Sequence, residues 1–530
     1  MFSILRQSAA YWVAMASFRK QRERCKRYTY GDQWHDRICV DGQWMREEDY
    51  IRQQGNEPLK NNLIRRLVRN VIGLYRQQHT ASLSPQVEPS SSPSLGGGQG
   101  EVSLSPSLGG GQGEALEVSA RTLEEFLISG LAVLRQSWGT RRGITSCWTD
   151  IVAPDSFFVD TFARDPSGWD ISCIGELHDM PFSVLCRHFA SSPDDVQRLQ
   201  RVYNVADYDD RLADVCELFG QQSPAIDFFH ARGNLCRVVE VWRLEQQQRY
   251  RCHDTASGKL YQVSADDYPS MVVAENERRL NIGRRHGKRR EEVALIHAQW
   301  FIAEQWHYYF LTPFGDVLSQ GVSPYTDGGH PYVFKAYPFI DGEIHSFVAD
   351  LIDQQRYTNR LITLYDWIMR SSAKGVLLVP EESIPDGYSL ADIADEWARF
   401  NGVIAIRTKN GAQMPQQVAM NATNVGIKDL LQTQLDFFED ISGVAGVLQG
   451  KRDGNSNNAS LFAYQTNNAT LSLLDIIETF RSFIDEVALK KQRLQQQFGG
   501  KGQGARGKEQ ENSLQATRHS SLITRHSSSR

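Results

Sequence analysis

PFIDGEIHSFVADLIDQQRYTNRLITLYDWIMRSSAKGVLLVPEESIP, residues 338–385, is the stretch on which the reading of the whole chain turns. Asp341 can cap a helix, and Glu343 places negative charge in the first turn, where free N–H groups and the helix dipole favour it. Neither Gly nor Pro follows until Gly375. Ile344, Phe347, Val348, Leu351, Ile352, Leu361, Leu364, Tyr365 and Ile368 recur at spacings of three and four, which predicts one apolar helix face. Only the polar centre, DQQRYTNR, breaks the pattern. About thirty residues at ~1.5 Å each predict a rod of roughly 45 Å, too long to stand without neighbours.

Downstream, Gly375 leads into the strand-like run VLLVP, closed by Pro380. Ser389 and Asp392 form a capping box before Leu390, Ile393, Ala394 and Trp397, with a stop at Asn401 and Gly402. Val403 to Arg407 alternates like a strand, Asn410 and Gly411 signal a tight turn, and Met414 to Val418 is expected to return as its partner. A second helix carries Ile427, Leu430, Leu431, Phe438 and Ile441 on one face and ends at Gly443. The segment GVAGVLQGKRDGNSNNAS follows. Its Lys451, Arg452, Asn455, Asn457 and Asn458 are donors suited to phosphate oxygens, and it exceeds the ~2 to 8 residues that join helices in bundles.

This order of elements resembles the core of the portal proteins of tailed bacteriophages. The likeness rests on the run from Gly342 through Gln355 to Asn359, the GVLLVP strand, the loop from Gly443 and the helix after it. It implies an α+β, multidomain, portal-like fold. Residues 1–80 would be the N-terminal helical part of the wing, 81–115 a flexible Ser/Pro/Gly insertion and 116–340 a mixed α/β wing. Next would come a stem helix at 341–373, a small αβ clip at 374–420, a second stem helix at 421–443, a tunnel loop at 444–460, a long wing helix at 461–498 and a disordered tail or crown at 499–530. The implied role is a structural, non-enzymatic homo-oligomer, a ring of twelve at one capsid vertex, which passes double-stranded DNA non-specifically. Terminase, head-completion or tail adaptor proteins, and major capsid and scaffold proteins would be its partners. The virion is the expected location, with assembly in the host cytoplasm. Leu361 and Phe438 are expected at the subunit interface, and the five loop residues on the DNA channel.

The remainder of the sequence fits such a role and argues against others. With 530 residues, 41% of them hydrophobic, the chain can build two or more cores, and its mean hydropathy is −0.44. No apolar run approaches the ~18 to 20 residues of a membrane helix. The first 24 residues read as an amphipathic helix rather than a leader, because Arg6 precedes the apolar part weakly and no small-residue cleavage pattern is clean. Eight cysteines between Cys25 and Cys252 show neither a CxxC pair nor zinc spacing. Leu63, Ile64, Leu67, Val68, Val71, Ile72 and Tyr75 form a helical stripe. The decapeptide SPSLGGGQGE begins at Ser92 and again at Ser105, too poor in apolar groups to offset the entropy of ordering. Between Leu116 and Gly342 the pattern is mixed, and Leu235 to Asp254 is expected to form a pair of strands.

No catalytic residue, metal ligand or cofactor site is assigned, since G-x-S-x-G, H-E-x-x-H, EF-hand and Walker A patterns are all missing. His297, His307 and the acid pairs Asp209–Asp210 and Glu381–Glu382 read as ordinary core or solvated groups. An alternative function, a metal-nuclease-like DNA-processing enzyme of a mobile element, would need carboxylates gathered from distant strands. A formal net charge of −5 suits a conduit that does not grip DNA along its length, as do Glu343, Asp350, Asp353 and Asp366 on the expected stem. The basic run from Glu277 to Glu292 could be a nucleic-acid patch, but its flanking glutamates and exposed loop character favour a solvated wing surface.

Overall fold

The computed structural model describes residues 1–83, 110–203 and 226–398 apart from 142, 162, 232, 234, 288, 327–328, 375 and 381–382, then 404, 406–407, 416–418, 426–443 and 459–499. In chain order its helices are α1 (Phe2–Ala14), α2 (Ala16–Tyr30), α3 (Glu47–Gln53), α4 (Leu63–Leu83), α5 (Gly110–Ser129), α6 (Phe182–Phe189), α7 (Pro193–Val202), α8 (Ile226–Phe229), α9 (Ala274–Arg285), α10 (Ile352–Lys374), α11 (Leu390–Ala398), α12 (Ile427–Ser442) and α13 (Ala459–Gly499). The strands are β1 (Arg37–Val40), β2 (Gln43–Arg46), β3 (Leu131–Arg141), β4 (Ile144–Ile151), β5 (Phe157–Val159), β6 (Cys173–Met180), β7 (Cys236–Asp254), β8 (Lys259–Ser264), β9 (Ile296–Leu311), β10 (Val317–Val322), β11 (Tyr332–Ala336), β12 (Phe339–Ile340), β13 (Glu343–Ile344), β14 (Val376–Leu378) and β15 (Gln416–Val418). The fold is mixed α+β. Two compact units divide it: Met1–Glu23, Ile72–Ser346 and the described residues from Leu474 on make the first, Arg24–Val71 and Phe347–Leu473 the second.

The first unit is built on a six-stranded sheet in the order β10-β9-β7-β6-β5, with β8 on the far part of β7, and a three-stranded sheet β11-β3-β4. Cys236 to Asp254 is one strand of 19 residues, not the expected pair. Nothing in it breaks the ladder, which runs against β9 from Val239↔Leu311 to Asp254↔Ile296. Phe157, Phe158, Phe228, Val239, Trp242 and Phe310 fill the core between the elements, joined by Leu5 and Trp12 of α1. Helix α13 contributes Phe480, whose ring meets Tyr75 at 5.4 Å and Phe126 at 5.7 Å. At the α5–β3 junction Gly130 has φ +77, and an added Cβ would lie 1.9 Å from the His345 carbonyl oxygen, so only glycine fits.

Several local expectations fall on structure of a different kind. Asp341 does not cap a helix: Asp341 (φ 52) and Gly342 (φ 84) form the turn joining β12 to β13, and α10 starts only at Ile352. Two successive positive φ values are what an Asp-Gly dipeptide offers a tight hairpin. Glu343 therefore lies on β13 and Asp350 in a 3₁₀ turn, leaving Asp353 and Asp366 as the acids of that set on α10. Strand β15 pairs with β14, Val376↔Val418 to Leu378↔Gln416, and the partner expected for it, residues 403–407, lies partly outside the described residues. The apolar VLL run thereby gains a ladder, and Arg407 pairs instead with Asp386. The basic run is helical through Arg285, as α9, rather than a loop. Ser389 and Asp392 do form the expected reciprocal cap of α11, at 2.7 to 3.2 Å. Residues 84–109 of the repeat insertion and 500–530 of the tail lie outside the described residues.

Candidate functional site

In the second unit α10 packs along α12. One face of the polar centre that interrupts the apolar pattern of α10 is buried: Gln355 and Thr358 are 0% and Asn359 1% exposed. Gln355 Oε1 accepts from the backbone N–H groups of Leu63 (2.8 Å) and Ile64 (3.3 Å), so a side chain of α10 satisfies the open N-terminus of α4. Its Nε2 donates to the Asn61 carbonyl at 2.7 Å. Asn359 Oδ1 accepts from Asn61 N–H at 3.0 Å, while its Nδ2 donates to Gln33 Oε1 at 2.6 Å. Thr363 Oγ1 takes Leu59 N–H at 3.2 Å. Arg356 and Arg360 both pair with the buried carboxylate of Glu47. DQQRYTNR is thus a docking strip for residues 33–64, in which Gln355, Arg356, Asn359 and Arg360 are paired while Gln354 Oε1 and the buried Thr358 Oγ1 have no partner among the described residues.

Each of the two long helices also shows an apolar stripe to solvent. On α10 it comprises Tyr357, Leu364 and Trp367, and on α12 Leu430, Phe437 and Ile441, all between 39% and 48% exposed. Their spacings of seven, three and four keep each set on one helix face. Leu361 and Phe438 instead face inward at 5% and 3% exposure. A side chain already covered by its own chain has no area to offer a neighbour, so the pair expected at an interface belongs to the intrachain core. Asp429, Asp436 and Asp440 form an exposed acidic stripe on α12.

A second cluster lies deep in the first unit. Glu176 on β6 and Glu240 on β7 are directly opposed across the sheet, an arrangement that repels when both are ionised. Arg135, from the facing strand β3, enters between them and grips Glu240 at 2.6 and 2.9 Å, with Glu176 at 3.3 Å. His178 Nε2 is 2.8 Å from Glu240, and Trp242 Nε1 donates to the same carboxylate at 2.7 Å. Burial alone would raise the Glu240 carboxyl, but Arg135 and His178 hold it well below the usual range. Burial pushes Glu176 up, with the His178 and Arg135 charges only partly opposing it. Glu176, His178 and Glu240 bring one ligand atom each within 4.8 Å of one another, a spacing a metal ion can use. The Arg135 guanidinium already supplies the cation there, so the cluster acts as an ionic clamp between sheets. An acid set among apolar residues in VVEVW and in CIGELH is the sequence signal that marks it.

A family model described as phage P22-like portal protein matches residues 120–499. This chain belongs to that family. The match spans both sheets, the α10–α12 pair and α13, and so covers most of the chain. No curated protein matches it. Portal membership gives the chain a structural role in a phage. Of the residues assigned from sequence, Leu361 and Phe438 are each buried by the chain itself, and Lys451, Arg452, Asn455, Asn457 and Asn458 lie outside the described residues. The partners of the docking strip and the ionic clamp were not singled out from the sequence, and Leu364, Leu430 and Ile441, expected on the same faces as Leu361 and Phe438, lie on the outward stripes instead. Among the described residues no helix is long and apolar enough to cross a membrane.

Proposed function

We propose that copies of this portal chain close into a ring of twelve at one capsid vertex and form the channel through which double-stranded DNA enters and leaves. The observation that carries the ring is the second apolar stripe on α10 and on α12, left uncovered by the chain's own core. Long helices with an uncovered stripe are suited to packing on the same helices of a neighbour, and head-to-tail contacts of that kind close by rotation. The acidic stripe of α12 suits a passage that repels the duplex, with cations confined to the loop carrying Lys451 and Arg452. In this reading terminase docks during filling on the small module between α10 and α12, and head-completion or tail adaptor proteins take its place afterwards. Major capsid and scaffold proteins surround the ring, which is assembled in the host cytoplasm and retained in the virion. The chain itself performs no catalysis.

Negative-stain electron microscopy of the purified chain tests the ring: annular particles with an axial hole are expected, and a chain that stays monomeric at micromolar concentration sinks the proposal. The loop is tested by Lys451→Ala with Arg452→Ala. Rings should persist, while the salt dependence of DNA binding falls by about 0.9 in log–log slope for each phosphate no longer neutralised.

A further inference from the structure

The far halves of β7 and β9, with β8 and α9, form an arm with a small core of its own, made of Cys252, Val263, Val272 and Ile296. Two residues fix α9 on this arm. Asn276 exchanges hydrogen bonds with the backbone of Ile296 at 2.8 and 2.9 Å, and Arg279 spans Asp254 at 2.6 and 3.1 Å. Both bonds to Asp254 come from a guanidinium, and with Ser257 they hold that carboxyl well below the usual range. Arg278 is likewise paired, with Glu275.

Beyond these pairs the arm ends in arginines of another kind. Arg284 and Arg285 close α9; Gly287, at φ +68, turns the chain, and Arg289 and Arg290 come back on a 3₁₀ turn packed against the helix. All four are exposed, and among the described residues none makes an ion pair. Glu291 and Glu292 lie beside them, Glu292 accepting the Arg289 backbone N–H at 3.2 Å. A fold that brings four unpaired guanidinium groups to one end of an arm, in a chain of net charge −5, leaves a local positive field that a polyanion relieves.

We propose that this tip is a second nucleic-acid contact, which holds the phosphate backbone of double-stranded DNA without reading its sequence. The residue type favours phosphate, since planar guanidinium groups bind its oxygens in a two-pronged manner. The stretch from Arg284 to Glu292 carries no apolar side chain, and Ile282 beside it is the single 44% exposed apolar residue of the last turn of α9, whereas a protein partner needs a desolvated centre to bind tightly. The choice of DNA among polyanions rests on the proposed portal role, but the binding test does not, because ring assembly is read separately by microscopy.

The full chain is titrated with a fluorescent 30-base-pair duplex across a salt series, with poly-glutamate as the competing polyanion. Replacing the four by glutamine (R284Q, R285Q, R289Q, R290Q) should weaken binding at least about tenfold at 50 mM salt and lower the salt slope by about 0.9 for each phosphate left without its arginine. Glu291→Gln should act in the opposite direction and tighten binding. Both variants should keep the wild-type melting temperature and particle shape, since the substituted side chains are exposed. The proposal is overturned by a wild-type chain that does not bind the duplex at 50 mM salt, by a quadruple variant that binds as wild type does, or by poly-glutamate displacing the duplex at equal charge concentration.

Discussion

At the scale of single residues the steepest dependence lies at Glu240. Its carboxylate is 0% exposed and is the main partner of Arg135, which is equally buried. Glu240→Gln leaves that guanidinium without a full counter-charge, and breaking a buried pair from one side costs about 3 to 5 kcal/mol. A large fall in melting temperature is expected, and a change of a degree or less would mean that the clamp is dispensable. The pH dependence has a definite sign. Because the folded state holds Glu240 below its unfolded value, the stability it contributes is present above pH ~4.3 and is lost as pH falls through the depressed folded value. Glu176 is shifted the other way, so its contribution weakens as pH rises above pH ~4.3. Urea titrations between pH 3 and 6 should therefore show the acid-side loss in wild type and a smaller one in Glu240→Gln. At Gly130, Gly130→Ala should be at least as damaging, because the new methyl would collide with a backbone carbonyl that cannot move aside.

At the scale of elements, what was legible in the sequence was local. The VLL strand, the Ser389–Asp392 cap and the stop of α12 at Gly443 (φ 65) each depend on residues a few positions apart, and the chain adopts them where the pattern places them. The polar centre of α10 carried no such message, because Gln355 and Asn359 find their partners about 300 residues away, around Asn61 and Gln33. Asp341 was ambiguous: an Asp can cap a helix or turn a hairpin, and Gly342 decides for the hairpin. The ionic clamp was half visible, as acids in apolar strands, but the arginine that answers them sits on a different sheet. The assigned loop residues lie outside the described residues, and their proposed channel role rests on their donor chemistry, the length of the segment and the resemblance. Gln355→Leu tests the docking strip. It keeps the volume but strips the Leu63 and Ile64 N–H groups and the Asn61 carbonyl of their partner, at a cost of about 1 to 3 kcal/mol. Amide exchange in the first turn of α4 should accelerate, and unchanged protection there would contradict the capping role.

At the scale of the whole molecule the same two helices serve two surfaces, and adjacent residues on α12 separate them. Phe438 is 3% exposed and belongs to the chain's own core, whereas Phe437 is 47% exposed on the stripe proposed to meet a neighbour. Phe438→Asp buries a charge inside every copy, a change that costs several kcal/mol and should leave a chain that melts early or fails to fold. Phe437→Asp leaves that core untouched, so the isolated chain should keep its melting temperature. In a ring, however, it places an unpaired carboxylate in every repeated contact. Light scattering after size exclusion should then find single chains where wild type gives rings, and Leu364→Asp on α10 should behave the same way. Rings that survive both exposed-stripe substitutions would remove α10 and α12 from the subunit interface, leaving the proposed ring to be closed by surfaces of the first unit.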